Sequence, residues 1–183
     1  MKQILPQRPT LAESQAMARL PVWLVLENLR SALNVGSLFR TADAFRLGGL
    51  CLVGYTAPAD HRDVRKAALG AEDSVPFRAY DRVEECLEAL RAEGYLLVAL
   101  EQTDQSTALD RFAWPGSPVA LVLGNEVEGV SPQALALCDM ALEIAQGGIK
   151  HSLNVAVAGG VAAWHLAQQV ARVQARQLST DTL

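Results

Sequence analysis

The chain has 183 residues and a mass of 19.7 kDa, half of them hydrophobic and a fifth charged; this suits one globular domain with a full core and excludes a disordered or collagen-like chain or a stapled miniprotein. The net charge of −4, with a pI near 5.4, excludes a strongly basic nucleic-acid-binding domain of the usual kind. Cys51, Cys86 and Cys138 form no C-x-x-C pair, which excludes a zinc knuckle or thioredoxin-type motif and predicts buried, reduced thiols.

In chain order, residues 1–20 read as an extension. Its first ten residues lack the apolar core of a signal peptide, and Thr10 with Glu13 can close a capping box over a helix at 11–20. Val22–Leu26 is an apolar run of strand length. A polar loop from Glu27 to Val35 follows, then a helix expected to begin near Gly36 and to stop at Gly48–Gly49. Leu50–Val53 predicts a second buried strand, Asp60–Leu69 a polar, basic helix or a loop leading into one, and Val75–Tyr80 a short strand. Asp81 is placed to cap a helix in which Val83, Cys86, Leu87 and Leu90 share a face, ended by Gly94. Tyr95–Leu100 and Val119–Leu123 predict buried strands, Ser131–Cys138 a short helix, and Met140–Ile144 a last strand. A long helix over about 152–174 and a polar tail, 175–183, complete the chain, which leaves 21–174 as the domain.

Short apolar strands alternating with helices predict an α/β domain with a mostly parallel sheet flanked by helices. Ligands bind such sheets beyond the carboxyl ends of the strands, where the loops 27–36, 101–108, 124–131 and 145–152 fall. No apolar run approaches the roughly 18 residues of a membrane span, so the expected compartment is the cytosol and no membrane partner is expected. The G-x-G-x-x-G, Walker A, H-E-x-x-H and G-x-S-x-G patterns are absent, and His61, His151 and His165 lack metal-ligand spacing. No metal is therefore expected.

Three segments stand out. Around Asn34 and Gly36 a strand-end loop turns into a helix whose free N–H groups would suit a phosphate, with Arg40 one turn further on. Gly124-Asn-Glu-Val-Glu-Gly129 follows a strand, and its glycines would let backbone pass close to a ligand beside the Glu126 carboxylate. Ile144 to Val155 joins a strand to the last helix through Gly147–Gly148, with Ser152 and Asn154 at the helix start. The run Ala156 to Ala163, with Gly159 and Gly160 inside it, needs close packing to offset about 1 kcal/mol per glycine; its own sheet or a second subunit could supply that packing. Thirteen arginines against three lysines favour bidentate phosphate contacts.

These segments resemble the three ordered motifs of the SpoU/TrmH family of S-adenosylmethionine-dependent RNA ribose 2′-O-methyltransferases, in the SPOUT superfamily. N-x-G-x-x-x-R-T-A-x-x-F is matched from Asn34 and G-N-E-x-x-G from Gly124. The third motif, I-P-M-x-G-x-x-x-S-L-N-V, is matched from Ile144 except that Ala145 and Gln146 replace Pro and Met. The resemblance implies a C-terminal deep trefoil knot, a homodimer and an RNA substrate. It implies S-adenosyl-L-methionine held by Leu100, Gly124, Ile144 and Leu153, and catalytic roles for Arg40, Asn34, Glu126, Ser152 and Asn154. RNA contacts are expected from Arg30, Arg40, Arg65, Lys66 and Lys150. The alternative is a related binding module that has lost turnover; a small-molecule enzyme is the third reading.

Overall fold

The computed structural model describes residues 9–149 and 152–180. Helix α1 (Leu11–Ala16) opens with the expected capping box: Thr10 Oγ1 accepts from the Glu13 N–H, and the Glu13 carboxylate accepts from the Thr10 N–H at 2.7 Å. It is shorter than the sequence suggested, because strand β1 (Leu20–Glu27) already starts at Leu20.

Helix α2 spans Ala32–Ala44 and begins earlier than Gly36, with Ser31 as its N-cap. The apolar periodicity starts only at Val35, so the first turn, with exposed Leu33, is invisible to a pattern search. Gly36 is a packing residue: a Cβ there would strike the Val64 carbonyl and come within 2.6 Å of Ala67 Cβ, where helix α3 (Arg62–Ala68) crosses α2. Gly48 and Gly49 lie inside strand β2 (Leu47–Val53) and do not end the preceding helix. They make room for the Trp23 indole, which a Cβ on Gly48 would meet at 2.5 Å.

The chain continues through α4 (Ala71–Ser74), β3 (Phe77–Tyr80), α5 (Val83–Ala92), β4 (Leu96–Leu100), β5 (Thr107–Ala108), a 3₁₀ turn at Leu109–Arg111, β6 (Val119–Leu123), α6 (Pro132–Leu137), β7 (Met140–Glu143) and α7 (Val155–Thr180). Arg82, not Asp81, occupies the N-cap of α5 and makes no side-chain cap bond. Asn154, not Ser152, caps α7: its Oδ1 accepts from the N–H groups of Ala156 at 2.9 Å and Val157 at 3.3 Å.

The seven strands form one sheet in the order β3-β2-β1-β6-β4-β7-β5, and every pairing is parallel. Helices cover both faces. Val22, Leu24 and Leu26 of β1 point into a core with Leu38 of α2, Val64 of α3 and Leu166 of α7. Trp23 and Val25 point the other way, toward Cys86, Leu87 and Leu90 of α5 and Ala134 of α6. Burial on both faces is why the strands read as unbroken apolar runs. The described cysteines are free thiols; contact with Cys51, then burial, pushes the Cys86 thiol far up, and burial pushes Cys138 up to about 12. No helix among the described residues is long and apolar enough to cross a membrane.

Candidate functional site

Buried polar residues mark one end of this sheet. Glu27 ends β1, Thr56 follows β2 and Asn125 follows β6. In a parallel sheet these carboxyl ends share one edge, and desolvating polar groups there requires partners. The Ser131 N–H donates to Glu27 at 3.1 Å. Thr56 Oγ1 accepts from the Leu29 N–H at 3.0 Å and lies 2.8 Å from the Leu26 and Val53 carbonyls. Asn125 uses both ends of its amide: Oδ1 accepts from the N–H groups of Val127 and Glu128, while Nδ2 donates to the Asn28 carbonyl at 2.8 Å and the Tyr55 hydroxyl at 2.6 Å.

The Glu126 carboxylate accepts from the Arg30 N–H at 2.8 Å, the Ser31 N–H at 3.1 Å and Asn34 Nδ2 at 2.9 Å. It therefore occupies the N-terminus of α2, where the sequence had suggested a phosphate. An ionised carboxylate only accepts, so the Asn34 amide must turn its NH₂ toward it. Asn34 Oδ1 then accepts from Asn154 Nδ2 at 3.2 Å, and Asn154 Oδ1 faces the α7 amides. One polar relay thus runs from the 124–129 loop through α2 to the start of α7. Burial alone would raise the Glu126 carboxyl, but the bonds from Arg30, Asn34 and Ser31 outweigh it and hold the group below the ordinary carboxylate range.

Beside this relay lies a cavity of about 270 Å³ between the ends of β6, β4 and β7. Leu100, Gly124, Ile144 and Leu153, the four residues expected to hold a cofactor, all line it, as do Glu126 and Ser152. Asn34 and Asn154 stand behind Glu126 and do not line it. The floor of the cavity is apolar, with Leu123 and Leu142, while Glu101, Glu128 and Glu143 supply carboxylates. Such a lining suits a ligand that carries both apolar surface and positive charge. Gly124 is needed for the loop itself, since a Cβ there would strike the Gly129 and Val130 backbone. Gly147 and Gly148 have open space where a side chain would go.

Arg40 is exposed on α2, does not line the cavity, and has no hydrogen bond or ion pair among the described residues. Arg30 is exposed, its backbone held by Glu126. Lys66 is exposed, and Arg65 lies 3.6 Å from Glu72. Lys150 and His151 lie outside the described residues. Among the described residues no cluster of three metal-ligating side chains occurs. Sequence reasoning missed Asn125 as the joint between loops, along with Tyr55 and Glu101, which accepts from the Val130 N–H at 2.9 Å. Asn125 sat inside a recognised motif without an assigned role; nothing in the spacing marks Tyr55.

Residues 21–164 match the sequence model of the SpoU rRNA Methylase family. The chain is 30% identical to a Staphylococcus saprophyticus protein assigned as a TrmH family tRNA/rRNA methyltransferase, over 82% of this chain and 60% of that one. It is 33% identical to the 23S rRNA (guanosine-2′-O-)-methyltransferase of Nitrosomonas europaea, over 75% of this chain and 52% of that one. It spans 60% or less of the length of these curated relatives. The AdoMet-bound rRNA methyltransferase from Sinorhizobium meliloti superposes with a TM-score of 0.76 at 27% identity, covering 80% of this chain and 56% of that one.

Proposed function

Since the chain belongs to the SpoU rRNA methylase family, we propose that it transfers a methyl group from S-adenosyl-L-methionine to the ribose 2′-hydroxyl of a nucleotide in structured RNA. The carrying observation is the meeting of all three motif segments at one cleft: residues 124–129 line the cavity together with Ile144, Gln146, Ser152, Leu153 and Val155, and Asn34 is hydrogen-bonded to Glu126 at its edge. S-adenosylmethionine supplies a methyl already activated by positively charged sulfur. The chain's task is to align that group with a sugar oxygen, which by itself is worth several kcal/mol.

In this reading Leu100, Gly124, Ile144 and Leu153 hold the adenosyl part, and Ser152 faces the same cavity. Arg40, a guanidinium that stays protonated, anchors a phosphate of the substrate and stabilises the alkoxide forming at the 2′-oxygen. The proton leaves to phosphate or water. Glu126, Asn34 and Asn154 position the loops. Arg30, Arg65, Lys66 and Lys150 are the RNA-contacting side chains in this reading despite the net negative charge, so RNA affinity should fall as salt rises. Transfer RNA is favoured slightly over ribosomal RNA, and the cytosol is the expected place of action.

Two architectural expectations belong to the same reading. From β7 the chain must return past β4 and β6 to lay α7 against α2 and β1, a path consistent with the family's trefoil knot within residues 21–174. Val157, Val161 and Trp164 leave an apolar stripe exposed along α7, which supports a homodimer closing over that face.

One observation favours the second reading, a module that binds without turning over. Gln146 lines the cavity where the family motif has Met, and Ala145 replaces its Pro. A calorimetric titration with S-adenosylmethionine, paired with transfer of its tritiated methyl to RNA, separates the readings. Recovery of the tritiated methyl in mononucleotides after alkaline hydrolysis, and not in an alkali-resistant dinucleotide, would contradict ribose 2′-O-methylation, because a methylated 2′-oxygen cannot attack the adjacent phosphate.

A further inference from the structure

Tyr55 is 61% exposed, the most exposed aromatic ring among the described residues, yet it is held firmly. Its N–H donates to Asn28 Oδ1 at 3.3 Å, and the next residue, Thr56, is buried and bonded to the Leu29 N–H. Its hydroxyl receives a hydrogen bond from Asn125 Nδ2 at 2.6 Å. Asn125 cannot be turned over to accept instead, because its Oδ1 is committed to the Val127 and Glu128 N–H groups. The Tyr55 oxygen therefore accepts, and its own hydrogen is free to donate outward.

The position adds direction. Tyr55 is bonded to the residue beside Glu126, but it does not line the cofactor cavity; it stands on the β2 side of the site. Leu29 touches its neighbour Thr56, and Arg30, with an exposed side chain, comes next. A rigid ring face, with the exposed Arg30 on the adjoining loop, is a surface that an unstacked base and its phosphate would fit. An aromatic face stacks on any base, and a ring with two side-chain torsions already fixed loses little entropy in doing so.

We propose that Tyr55 is a substrate-positioning residue whose ring stacks on a nucleobase of the bound RNA, with its hydroxyl proton offered to the same strand. The proposal rests on the reading of the chain as an RNA methyltransferase. The test uses the whole chain, tritiated S-adenosylmethionine, and two RNA probes: unfractionated transfer RNA and purified ribosomal RNA. For whichever RNA accepts methyl, Tyr55→Ala should raise the KM for RNA about tenfold, the equivalent of about 1.4 kcal/mol of lost stacking. Tyr55→Phe should stay within about threefold, and the Kd for S-adenosylmethionine should not move in either variant. An unchanged KM in Tyr55→Ala overturns the proposal. So does a Phe variant as damaged as Ala with weakened S-adenosylmethionine binding, which would make Tyr55 a mere strut for Asn125. If the native chain methylates neither RNA, the functional reading falls, and filter binding of the same probes decides Tyr55 separately: weaker retention by Tyr55→Ala sustains it, equal retention overturns it.

Discussion

On the β1–β6 side of the cleft, each strand-end loop is tied to its neighbour. Glu126 binds three donors from the α2 entrance, Asn125 joins the Asn28 and Tyr55 loops, and Asn34 reaches Asn154. On the β7 side, residues 145–149 are different. An added Cβ at Gly147 or Gly148 meets nothing, and Ile149 is 94% exposed. One wall of the site is pre-organised by charge-assisted bonds; among the described residues, the other leaves Gly147 and Gly148 beside open space and Ile149 exposed. Local stability follows contact density, so the two walls should respond differently to the same chemical insult.

The largest effect should come from a residue outside both walls. Arg40→Ala should keep S-adenosylmethionine affinity, since Arg40 does not line the cavity, while single-turnover methylation falls by about two to three orders of magnitude. Unchanged turnover would remove Arg40 from the chemistry. On the tied wall, Glu126→Ala leaves the Arg30, Ser31 and Asn34 donors without their acceptor. Urea unfolding should show a loss of about 2 kcal/mol, along with reduced turnover.

A matched pair of glycine substitutions sharpens the contrast. Gly124→Ala drives a methyl into the Gly129–Val130 backbone and should destabilise by about 2 kcal/mol or more. Gly147→Ala enters open space, and its unfolding free energy should lie within about 0.5 kcal/mol of the native chain's. Equal costs at the two positions would erase the distinction between the walls.

The smallest effect is one of pH. The folded-state pKa of Glu126 is lowered, so its contribution is fully present above the ordinary carboxylate range and is lost as pH falls through the depressed value. Stability measured downward through the acid range should drop less in Glu126→Gln than in the native chain.

Much of the sheet was legible because burial on both faces leaves an apolar run: Val119–Leu123 matches its predicted bounds residue for residue. The helix at 132–137 was equally legible, bracketed by Ser131 and Cys138. Errors arose where a residue type had two uses. Glycines 48 and 49 looked like a helix stop, but they serve the Trp23 ring, a contact between distant positions that no local window contains. Asp81 looked like a cap but does not cap α5. Strand β5, two residues long, carries no pattern at all. In the site, the motifs located the right segments, yet the partnership of Glu126 with Asn34 spans 92 positions and appears only in three dimensions. The expected phosphate at the α2 entrance was a sound inference about the dipole, but the protein's own carboxylate is the anion that settles there.

The strand order carries a consequence for biosynthesis. The neighbours of β4 are β6 and β7, both of which come later in the chain. By contrast, β1, β2 and β3 pair consecutively. At ribosomal rates of about 5–20 residues per second, the stretch from Leu100 to Val119 takes about one to four seconds to emerge. For that interval the nascent chain carries Leu96–Leu100 as an apolar ribbon without a mate, a window in which a holding chaperone would improve the yield of native protein.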